Sequence, residues 1–251
     1  MANPIHQFEI YSLTENPFMV GGLNLSFTNS SLWMAIAVVL STVFLTLATR
    51  RKALVPGRAQ VFAESLYEFV AGMIRENIGS KGRQYFPLIF TLFIVVLLGN
   101  MLGMLPYSFT YTSHIIVTAA LAFMIFFVVV LIGIGKHGFH FFSLFLPPGV
   151  PMWLTPLIIP IEIMSFMIRP VTLSVRLFAN MIAGHIMLKV FAGFSVGMVA
   201  ALGTTGLLAG AFPLLFNTIL IGFELLIAFL QAYVFAILSC IYLKDTVEIG
   251  H

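Results

Sequence analysis

Charged residues are scarce in this sequence. Only 8% of its 251 residues are charged, whereas 60% are hydrophobic. A water-soluble domain carries about 25% charged residues, because charged side chains cover much of its surface. The 12 basic and nine acidic side chains cannot cover a chain of this length. The composition therefore excludes soluble enzymes, nucleic-acid-binding domains and disordered scaffolds, and it indicates an integral membrane protein.

Cysteine and nucleotide-binding motifs are also nearly or wholly missing. A single cysteine, Cys240, excludes a disulfide framework. The sequence has no G-x-x-x-x-G-K-[ST] loop, the segment that wraps around nucleotide phosphates. Paired haem ligands are lacking too, since His185 is the only histidine deep within a predicted helix. We therefore expect no bound nucleotide, nucleic acid, metal or other cofactor.

What the sequence does contain is a series of long uncharged runs. The hydrocarbon core of a bilayer, about 30 Å thick, is crossed by about 20 helical residues. Uncharged runs at residues 32–49, 86–105 and 115–135 predict the first three spanning helices. Residues 136–156 hold four prolines, a density that interrupts regular helix, and so predict a connection.

Two longer helical segments follow at residues 157–197 and 211–243, joined by a glycine- and threonine-rich turn at 202–210. The 33 residues of the last segment would extend about 50 Å, well beyond the core of a bilayer. A helix of that length must tilt, kink or project from the membrane. We therefore expect residues 157–243 to form a long, strongly tilted helical hairpin.

Residues 56–78 predict a helix of a different kind. Large apolar side chains recur on one helical face, and charged side chains occupy the other. The apolar face consists of Phe62, Leu66, Phe69, Val70 and Met73, and the charged face of Glu64, Glu68 and Arg75. A helix with this pattern lies in the membrane interface. We predict an interfacial amphipathic helix with no protein core to pack against.

The basic residues predict the orientation of the helices, because loops rich in lysine and arginine face the cytoplasm. Five alternating spans place nine cations on one side: Arg50, Arg51, Lys52, Arg58, Arg75, Lys81, Arg83, Lys136 and Lys244. The N-terminal segment, residues 1–31, contains no basic residue. We expect that segment outside and the C-terminus in the cytoplasm. The fold class is an all-α integral membrane protein, one domain over residues 1–251, with five transmembrane helices plus the interfacial helix.

Ionisable side chains remain inside the last two predicted helices. They are Glu162, Arg169, Arg176, Lys189 and Glu224. Such a group at membrane depth costs from about 3 to more than 10 kcal/mol, so it usually marks a polar path or a pairing surface. The first three recur every seven positions and form one stripe, which Asn180 continues. A second stripe with the same spacing consists of Asn217, Glu224 and Gln231.

The two antiparallel helices can pair at two levels. Arg176 can meet Gln231 near mid-membrane. His185 lies nine residues after Arg176, on the opposite face of the helix and about 13.5 Å further outward, where it can meet Glu224. Arginine keeps its proton at any accessible pH, whereas buried histidine and glutamate can exchange protons near neutral pH. A permanent cation between titratable groups stops a continuous proton leak. The pattern predicts a proton path interrupted by Arg176, with Glu162 on the inward side.

These buried charges leave alternative roles open. Glu162 and Arg169 can pair simply to hold helices together, and Lys189 can extend its amine toward the membrane surface. A secondary proton-coupled transporter also buries charges, but it usually shows repeated broken helices, and the sequence shows no such repeat. A passive channel is physically compatible, although Arg176 favours gating over free conduction.

Two segments of the hairpin resemble a known family. Residues 169–185, RPVTLSVRLFANMIAGH, and residues 223–235, FELLIAFLQAYVF, are similar to the signatures of subunit a in the membrane sector of the rotary ATP synthase. Residues 99–106 and 3–9 extend the resemblance over nearly the whole chain. The order of histidine before glutamate resembles the alphaproteobacterial and mitochondrial branch, so we expect a bacterial inner membrane.

The resemblance implies a mechanism and a set of partners. In this family the last two helices face a ring of small hairpin subunits, each with one essential carboxylate. Protons enter through an outer half-channel, neutralise a ring carboxylate, travel with the ring and leave through an inner half-channel. ATP chemistry belongs to other subunits, so the chain itself is not an enzyme. The expected partners are the ring, peripheral-stalk membrane subunits, protons and the lipid bilayer.

The resemblance also implies a role for each polar residue of the hairpin. Arg176 matches the arginine that separates the half-channels and couples proton transfer to rotation. His185 and Glu224 match the outer-channel pair, and Glu162 matches an inner-channel acid. The remaining polar side chains are neighbours of the arginine or further candidates: Asn180, Gln231, Arg169 and Asn217.

Overall fold

The computed structural model describes residues 8–13, 19–20, 23–24, 26–50, 56–105, 108–146 and 153–247. Arg51, Lys52 and most of the N-terminal motif at residues 3–9 lie outside the described residues. Within those ranges the regular elements are helical, apart from an antiparallel pair of two-residue strands, β1 Met19–Val20 and β2 Leu23–Asn24. The all-α prediction is therefore confirmed.

Long helices follow one another along the described chain. They are α1 Asn29–Thr49, α2 Arg58–Ile78, α3 Phe86–Gly103, α4 Ile115–His137, α5 Thr155–Leu202 and α6 Gly206–Val247. Short 3-10 segments lie at Gly79–Tyr85, Tyr111–Ser113 and Gly138–Phe145. Across the described part of the chain, five helical segments are long and apolar enough to span a membrane, and one of them joins α2 to α3. The five predicted spans are confirmed in length and composition.

The hairpin of α5 and α6 is longer than predicted. α5 has 48 residues and α6 has 42, so each exceeds a bilayer core of about 30 Å unless it tilts. The turn shrinks to residues 203–205, where Gly203 has a φ of 58°. Ser195 Oγ donates to Gly210 O at 2.7 Å, and a Cβ at Gly210 would lie 2.9 Å from Ser195 O. Glycine at 210 lets the helices approach closely; the tilt stays a prediction.

The chain forms two compact units, each with its own core. The first unit comprises Met1–Phe44, Val95–His114 and Leu177–Ala232. Leu177, Met181 and Ala228 are fully buried in it. Asn100 Nδ2 of α3 donates to Ala228 O of α6 at 3.2 Å. Since the amide carbonyl of α6 accepts this bond in a buried place, the contact fixes α3 against α6 within this unit.

The second unit has an aromatic core. It comprises Leu45–Ile94, Ile115–Arg176 and Tyr233–His251. Phe93 and Phe235 are almost completely buried in it. Phe166 of α5 packs against Phe126 of α4 and Phe145 of the following 3-10 segment, with ring centroids 5.0 and 5.6 Å apart. These contacts position the first half of α5, which carries the two hairpin arginines, Arg169 and Arg176.

α2 is the predicted amphipathic helix, but its apolar face is only partly free. Val70 is completely buried, whereas Phe62 near the start of the helix is 56% exposed. Phe69 packs against Phe93 of α3 and Tyr233 of α6, with ring centroids 5.6 and 5.7 Å apart. The expectation that this face has no protein core to contact is wrong for the C-terminal half of α2, because α3 and α6 pack against it. Its position in the membrane interface stays a prediction.

Candidate functional site

His185 of α5 and Glu224 of α6 are in contact in the first unit. His185 Nδ1 lies 2.6 Å from Glu224 Oε1, and the two side chains are only 11% and 5% exposed. The contact expected from the sequence is therefore present. A Cβ at Gly184 would lie 2.8 Å from Glu224 Oε1. Glycine at 184 leaves the room that the carboxylate occupies.

Two backbone carbonyls and one side-chain hydroxyl contact the His185 ring. Nδ1 lies 3.0 Å from Met181 O, one turn earlier on α5. Nε2 lies 2.9 Å from both Gly103 O and Thr110 Oγ1, which belong to the end of α3 and the connection to α4. A carbonyl oxygen can only accept, so each ring nitrogen must carry a hydrogen to use these contacts. The surroundings therefore suit an imidazolium with a hydrogen on both ring nitrogens.

The Glu224 carboxylate is buried and incompletely satisfied. The residue is 4% exposed, and Oε2 has no hydrogen-bond partner among the residues that the structure describes. A buried carboxylate oxygen without a partner is costly unless water or a proton reaches it. Unused proton-accepting capacity at a buried position is what a proton-transfer group needs.

Two cavities of the first unit border Glu224. The histidine cavity has a volume of about 520 Å³, and its polar lining includes Glu9, Tyr11, Asn29, Ser108, His185, Lys189 and Glu224. The asparagine cavity has a volume of about 300 Å³, and its lining includes Asn180, Gly184, Met187, Phe223 and Glu224. Cavities of these sizes hold water where polar groups line them. Glu224 is the titratable side chain that borders both cavities.

Part of the histidine cavity comes from residues that the sequence did not single out. Asn29 Nδ2 donates to Glu9 O at 3.1 Å, and Asn29 Oδ1 accepts from Tyr11 N at 3.3 Å, which ties the N-terminal segment to the start of α1. The acid in the N-terminal motif, Glu9, was an available signal. The carbonyl of Gly103 left none, because a backbone acceptor has no side-chain pattern. Lys189, expected to extend toward the surface, is exposed and lines this cavity.

Arg176 lies on an exposed face of α5 in the second unit. Its neighbours Val171 and Val175 are 46% and 44% exposed. Within the described ranges Arg176 forms neither an ion pair nor a hydrogen bond. A permanent guanidinium on an apolar membrane-spanning helix needs a counter-charge. Within the described ranges no carboxylate forms an ion pair with Arg176.

Arg169, one heptad earlier, has the opposite environment. Its Nη1 donates to Asp245 Oδ2 at 2.7 Å. The guanidinium also lies 5.5 Å from the ring centroid of Tyr242 and 5.7 Å from that of Phe166. The alternative that Arg169 pairs with Glu162 is therefore wrong. Asp245 was missed because α6 continues to Val247, four residues past the predicted end of the helix at 243.

The other predicted polar residues have no contact within the described ranges that defines a role for them. Asn180 and Asn217 are half-buried, and Asn217 Oδ1 has no hydrogen-bond partner in the described part of the chain. Gln231 and Glu162 are half-buried as well. The contact of Gln231 with Arg176 stays a prediction. Among the described residues, no three histidine, cysteine, aspartate or glutamate side chains converge as a metal ion would require.

The connection between α3 and α4 carries two titratable groups outside the spans, the buried Tyr111 and the half-buried His114. Burial raises the pKa of Tyr111, whose Oη donates to Val95 O at 3.1 Å. Burial lowers the pKa of His114, which stacks on Phe109 with ring centroids 5.1 Å apart. Near neutral pH both side chains are therefore uncharged, and they add no charge next to the histidine cavity that Phe109 lines.

The chain is similar to known proteins over almost its whole length. The profile of the family described as ATP synthase A chain matches residues 31–244. ATP synthase subunit a of Rhizobium leguminosarum bv. trifolii (strain WSM2304) is 52% identical, over 99% of this chain and 98% of that protein. The proteins of the same name from Maricaulis maris (strain MCS10) and Chelativorans sp. (strain BNC1) are each 53% identical, over 99% of this chain and 98% and 99% of their own lengths. This chain belongs to the ATP synthase A chain family.

Proposed function

We propose that this chain is the stator subunit of an ATP synthase membrane sector and that it conducts protons to and from a ring of small partner subunits. The observation that carries the proposal is the buried contact of His185 with Glu224, placed where two cavities of the first unit meet the same carboxylate. Membership of the ATP synthase A chain family supports it.

Protons reach the site through the histidine cavity, which serves as the outer half-channel. Water held by its polar lining carries a proton to Glu224. The His185 ring lies 2.6 Å from the same carboxylate and is the second group of the pair that can exchange protons. The asparagine cavity then leads past Asn180 toward the exposed side of the hairpin, where Met187 and Phe223 are 46% and 60% exposed. Glu224 is the relay between the two cavities.

Arg176 is the fixed positive charge in this proposal. Its exposed guanidinium is neutralised by a carboxylate of the ring, because the described chain supplies no counter-ion. The ring carboxylate stays ionised beside Arg176 and must be protonated before it moves into lipid, since an unpaired charge there is costly. Arginine does not release its proton, so protons cannot pass directly between the half-channels. Proton transfer is thereby coupled to rotation.

The inner half-channel begins near Glu162, which is half-buried on α5. Gln231 and Asn217 are polar neighbours of the path. Each proton that crosses contributes about 2.3 kcal/mol per 100 mV of membrane potential, so several protons must pass for each ATP formed. Partner subunits form the ATP, and this chain is not itself an enzyme.

We place the complex in a bacterial inner membrane, with the N-terminus outside and the C-terminus in the cytoplasm. The collection of basic residues on one predicted side supports this orientation, and the similar proteins come from bacteria. The ring and peripheral-stalk membrane subunits are the protein partners. The five helices act together as one proton-conducting domain in the lipid bilayer.

The substitution Glu224→Gln tests the proposal. Glutamine fills nearly the same space but cannot carry a proton, so ATP-driven acidification of inverted membrane vesicles should fall on the order of 100-fold per assembled complex. The matched control Glu64→Gln removes an acid from the exposed face of α2 and should leave the rate unchanged. Normal pumping by an assembled Glu224→Gln complex at every pH would remove Glu224 from the path and refute the proposal.

A further inference from the structure

Three cations of the second unit surround one cavity. This cationic cavity, about 560 Å³, lies where the 3-10 segment Gly79–Tyr85 meets the end of α4. Its lining consists of Ser80, Lys81, Arg83, Gln84 and Lys136. Three of these five side chains are basic and none is acidic. The cavity therefore favours an anionic ligand.

Buried residues next to the cationic cavity fix the positions of its basic side chains. Gly82 is buried, and a Cβ there would lie 2.6 Å from Ile74 Cγ2 and 2.8 Å from Ile78 Cβ, so only glycine lets the segment press against α2. Lys136 Nζ lies 5.7 Å from the ring centroid of the buried Tyr85. That cation–π contact keeps Lys136 beside the 3-10 segment. The three cations are thus gathered by the fold.

A second cavity adjoins the first and has a different character. It has a volume of about 480 Å³ and shares Ser80 and Arg83 with the cationic cavity. Its remaining lining is mainly apolar and includes Tyr67, Ala71, Ile74 and Phe86, with Arg75 at the side. We name it the amphipathic cavity. Cationic and apolar surfaces that meet at Arg83 match a ligand with an anionic head and an apolar tail.

The position along the chain also fits such a ligand. Lys136 lies at the end of the candidate span Ile115–His137, where a bilayer places its headgroups. Basic pockets at the ends of membrane helices attract anionic phospholipids, and each lysine or arginine near the surface adds to the attraction. A zwitterionic headgroup would bring a further cation into a site that already holds three.

We propose that the cationic cavity binds the phosphate of an anionic phospholipid headgroup, and that one acyl chain of this lipid lies along the amphipathic cavity. Lys81, Arg83 and Lys136 contact the phosphate, while Ala71 borders the acyl chain. Inorganic phosphate shares the headgroup chemistry but has no apolar part that could occupy the amphipathic cavity. The proposal is independent of the proton path, because none of these residues belongs to it.

Native mass spectrometry of the delipidated full chain in neutral detergent tests the proposal. The chain is titrated with phosphatidylglycerol and, separately, with phosphatidylcholine. We expect one tightly bound phosphatidylglycerol, with affinity lowered on the order of 100-fold by the combined substitutions Lys81→Gln, Arg83→Gln and Lys136→Gln. The matched control removes three exposed cations outside the cavity, Arg50→Gln, Arg58→Gln and Lys244→Gln, and should leave the affinity unchanged.

A second variant separates the headgroup from the tail. Ala71→Phe fills the amphipathic cavity without changing charge, so it should weaken phosphatidylglycerol and spare the binding of inorganic phosphate. It also keeps the proposal testable if the triple variant misfolds, as judged by circular dichroism. Equal binding by cavity and control variants, or of phosphatidylcholine and phosphatidylglycerol, would overturn the proposal. Displacement of the lipid by millimolar inorganic phosphate would assign the site to a soluble anion instead.

Discussion

Two arginines one heptad apart on α5 have opposite environments. Arg169 donates to Asp245 at 2.7 Å and lies over the rings of Tyr242 and Phe166. Arg176 is exposed on the same helix and has no ion-pair partner in the described ranges. Placing either charge in an apolar span costs free energy unless a counter-charge is nearby. Because only Arg169 meets that cost within the chain, we infer that Arg169 is structural and that Arg176 is completed by a partner.

Substituting each of the two arginines should change proton pumping to very different extents. Arg176→Gln should lower ATP-driven proton pumping on the order of 100-fold per assembled complex, because a neutral amide cannot hold the ring carboxylate ionised. Arg169→Gln should leave pumping per assembled complex unchanged and lower the thermal stability of the chain. Vesicle acidification and thermal melting of both variants make the comparison. Equal loss of pumping in both variants would erase the distinction between them.

The next effect concerns Glu224, whose Oε1 meets His185 while its Oε2 has no hydrogen-bond partner among the described residues. Gly184→Ala places a methyl group 2.8 Å from Glu224 Oε1, so the carboxylate must move from His185. We expect at least about a tenfold loss of pumping, because proton transfer depends on the distance between the groups. Gly193→Ala on the same helix is the matched control, since a Cβ there meets nothing within 4 Å. Similar rates for both variants would contradict the geometry assigned to Glu224.

A smaller effect tests the structural role of Arg169. Asp245→Asn removes the charge of a partly exposed pair, so the free energy of unfolding should fall by about 1 kcal/mol. Chemical denaturation of the full chain, followed by circular dichroism, measures the change. The neighbouring exposed residue provides the control Lys244→Gln, which should be neutral. A lower pumping rate per assembled complex in Asp245→Asn would mean that the Arg169 pair also serves the proton path.

The smallest effect comes from His114, a half-buried group that is neutral near pH 7. Burial lowers its pKa from 6.5, so the folded chain binds fewer protons here than the unfolded chain. The stability that the neutral ring contributes is present above about pH 6.5 and is lost as the pH falls. His114→Gln should flatten the acid side of the curve of unfolding free energy against pH. An identical curve for both proteins would show that His114 binds protons equally in the folded and unfolded chain.

The sequence was sufficient for the features that depend on local composition and on spacing along one helix. The five spans follow from runs of uncharged residues, and the contact of His185 with Glu224 follows from the matching depths of these residues on two antiparallel helices. The ion pair of Arg169 did not follow, because its partner lies near the end of a helix that outlasts the hydrophobic run. The rings of Tyr242 and Phe166, which lie 5.5 and 5.7 Å from the Arg169 guanidinium, are contacts between distant segments that residue spacing does not indicate.

Contacts that involve backbone atoms or segments far apart in the chain could not be predicted from the sequence either. The carbonyl of Gly103 accepts a hydrogen bond from His185. The pattern of side chains in a sequence does not reveal which backbone carbonyl will serve as an acceptor. The histidine cavity needs Glu9 and Asn29, which are brought together by bonds between the N-terminal segment and α1. The buried half of α2 depends on α3 and α6, which supply the core that its own periodicity does not reveal.

Arg176→Lys tests whether Arg176 holds a ring carboxylate and separates the half-channels. Lysine keeps a positive charge but loses the planar guanidinium that can bind a carboxylate through two hydrogen bonds. Assembly of the complex is confirmed first, and ATP hydrolysis and proton pumping are then measured in the same membranes. We expect ATP hydrolysis by the partner subunits to persist while pumping falls on the order of 100-fold, as in Arg176→Gln. Normal pumping would contradict it, because a positive charge alone would then suffice at this position.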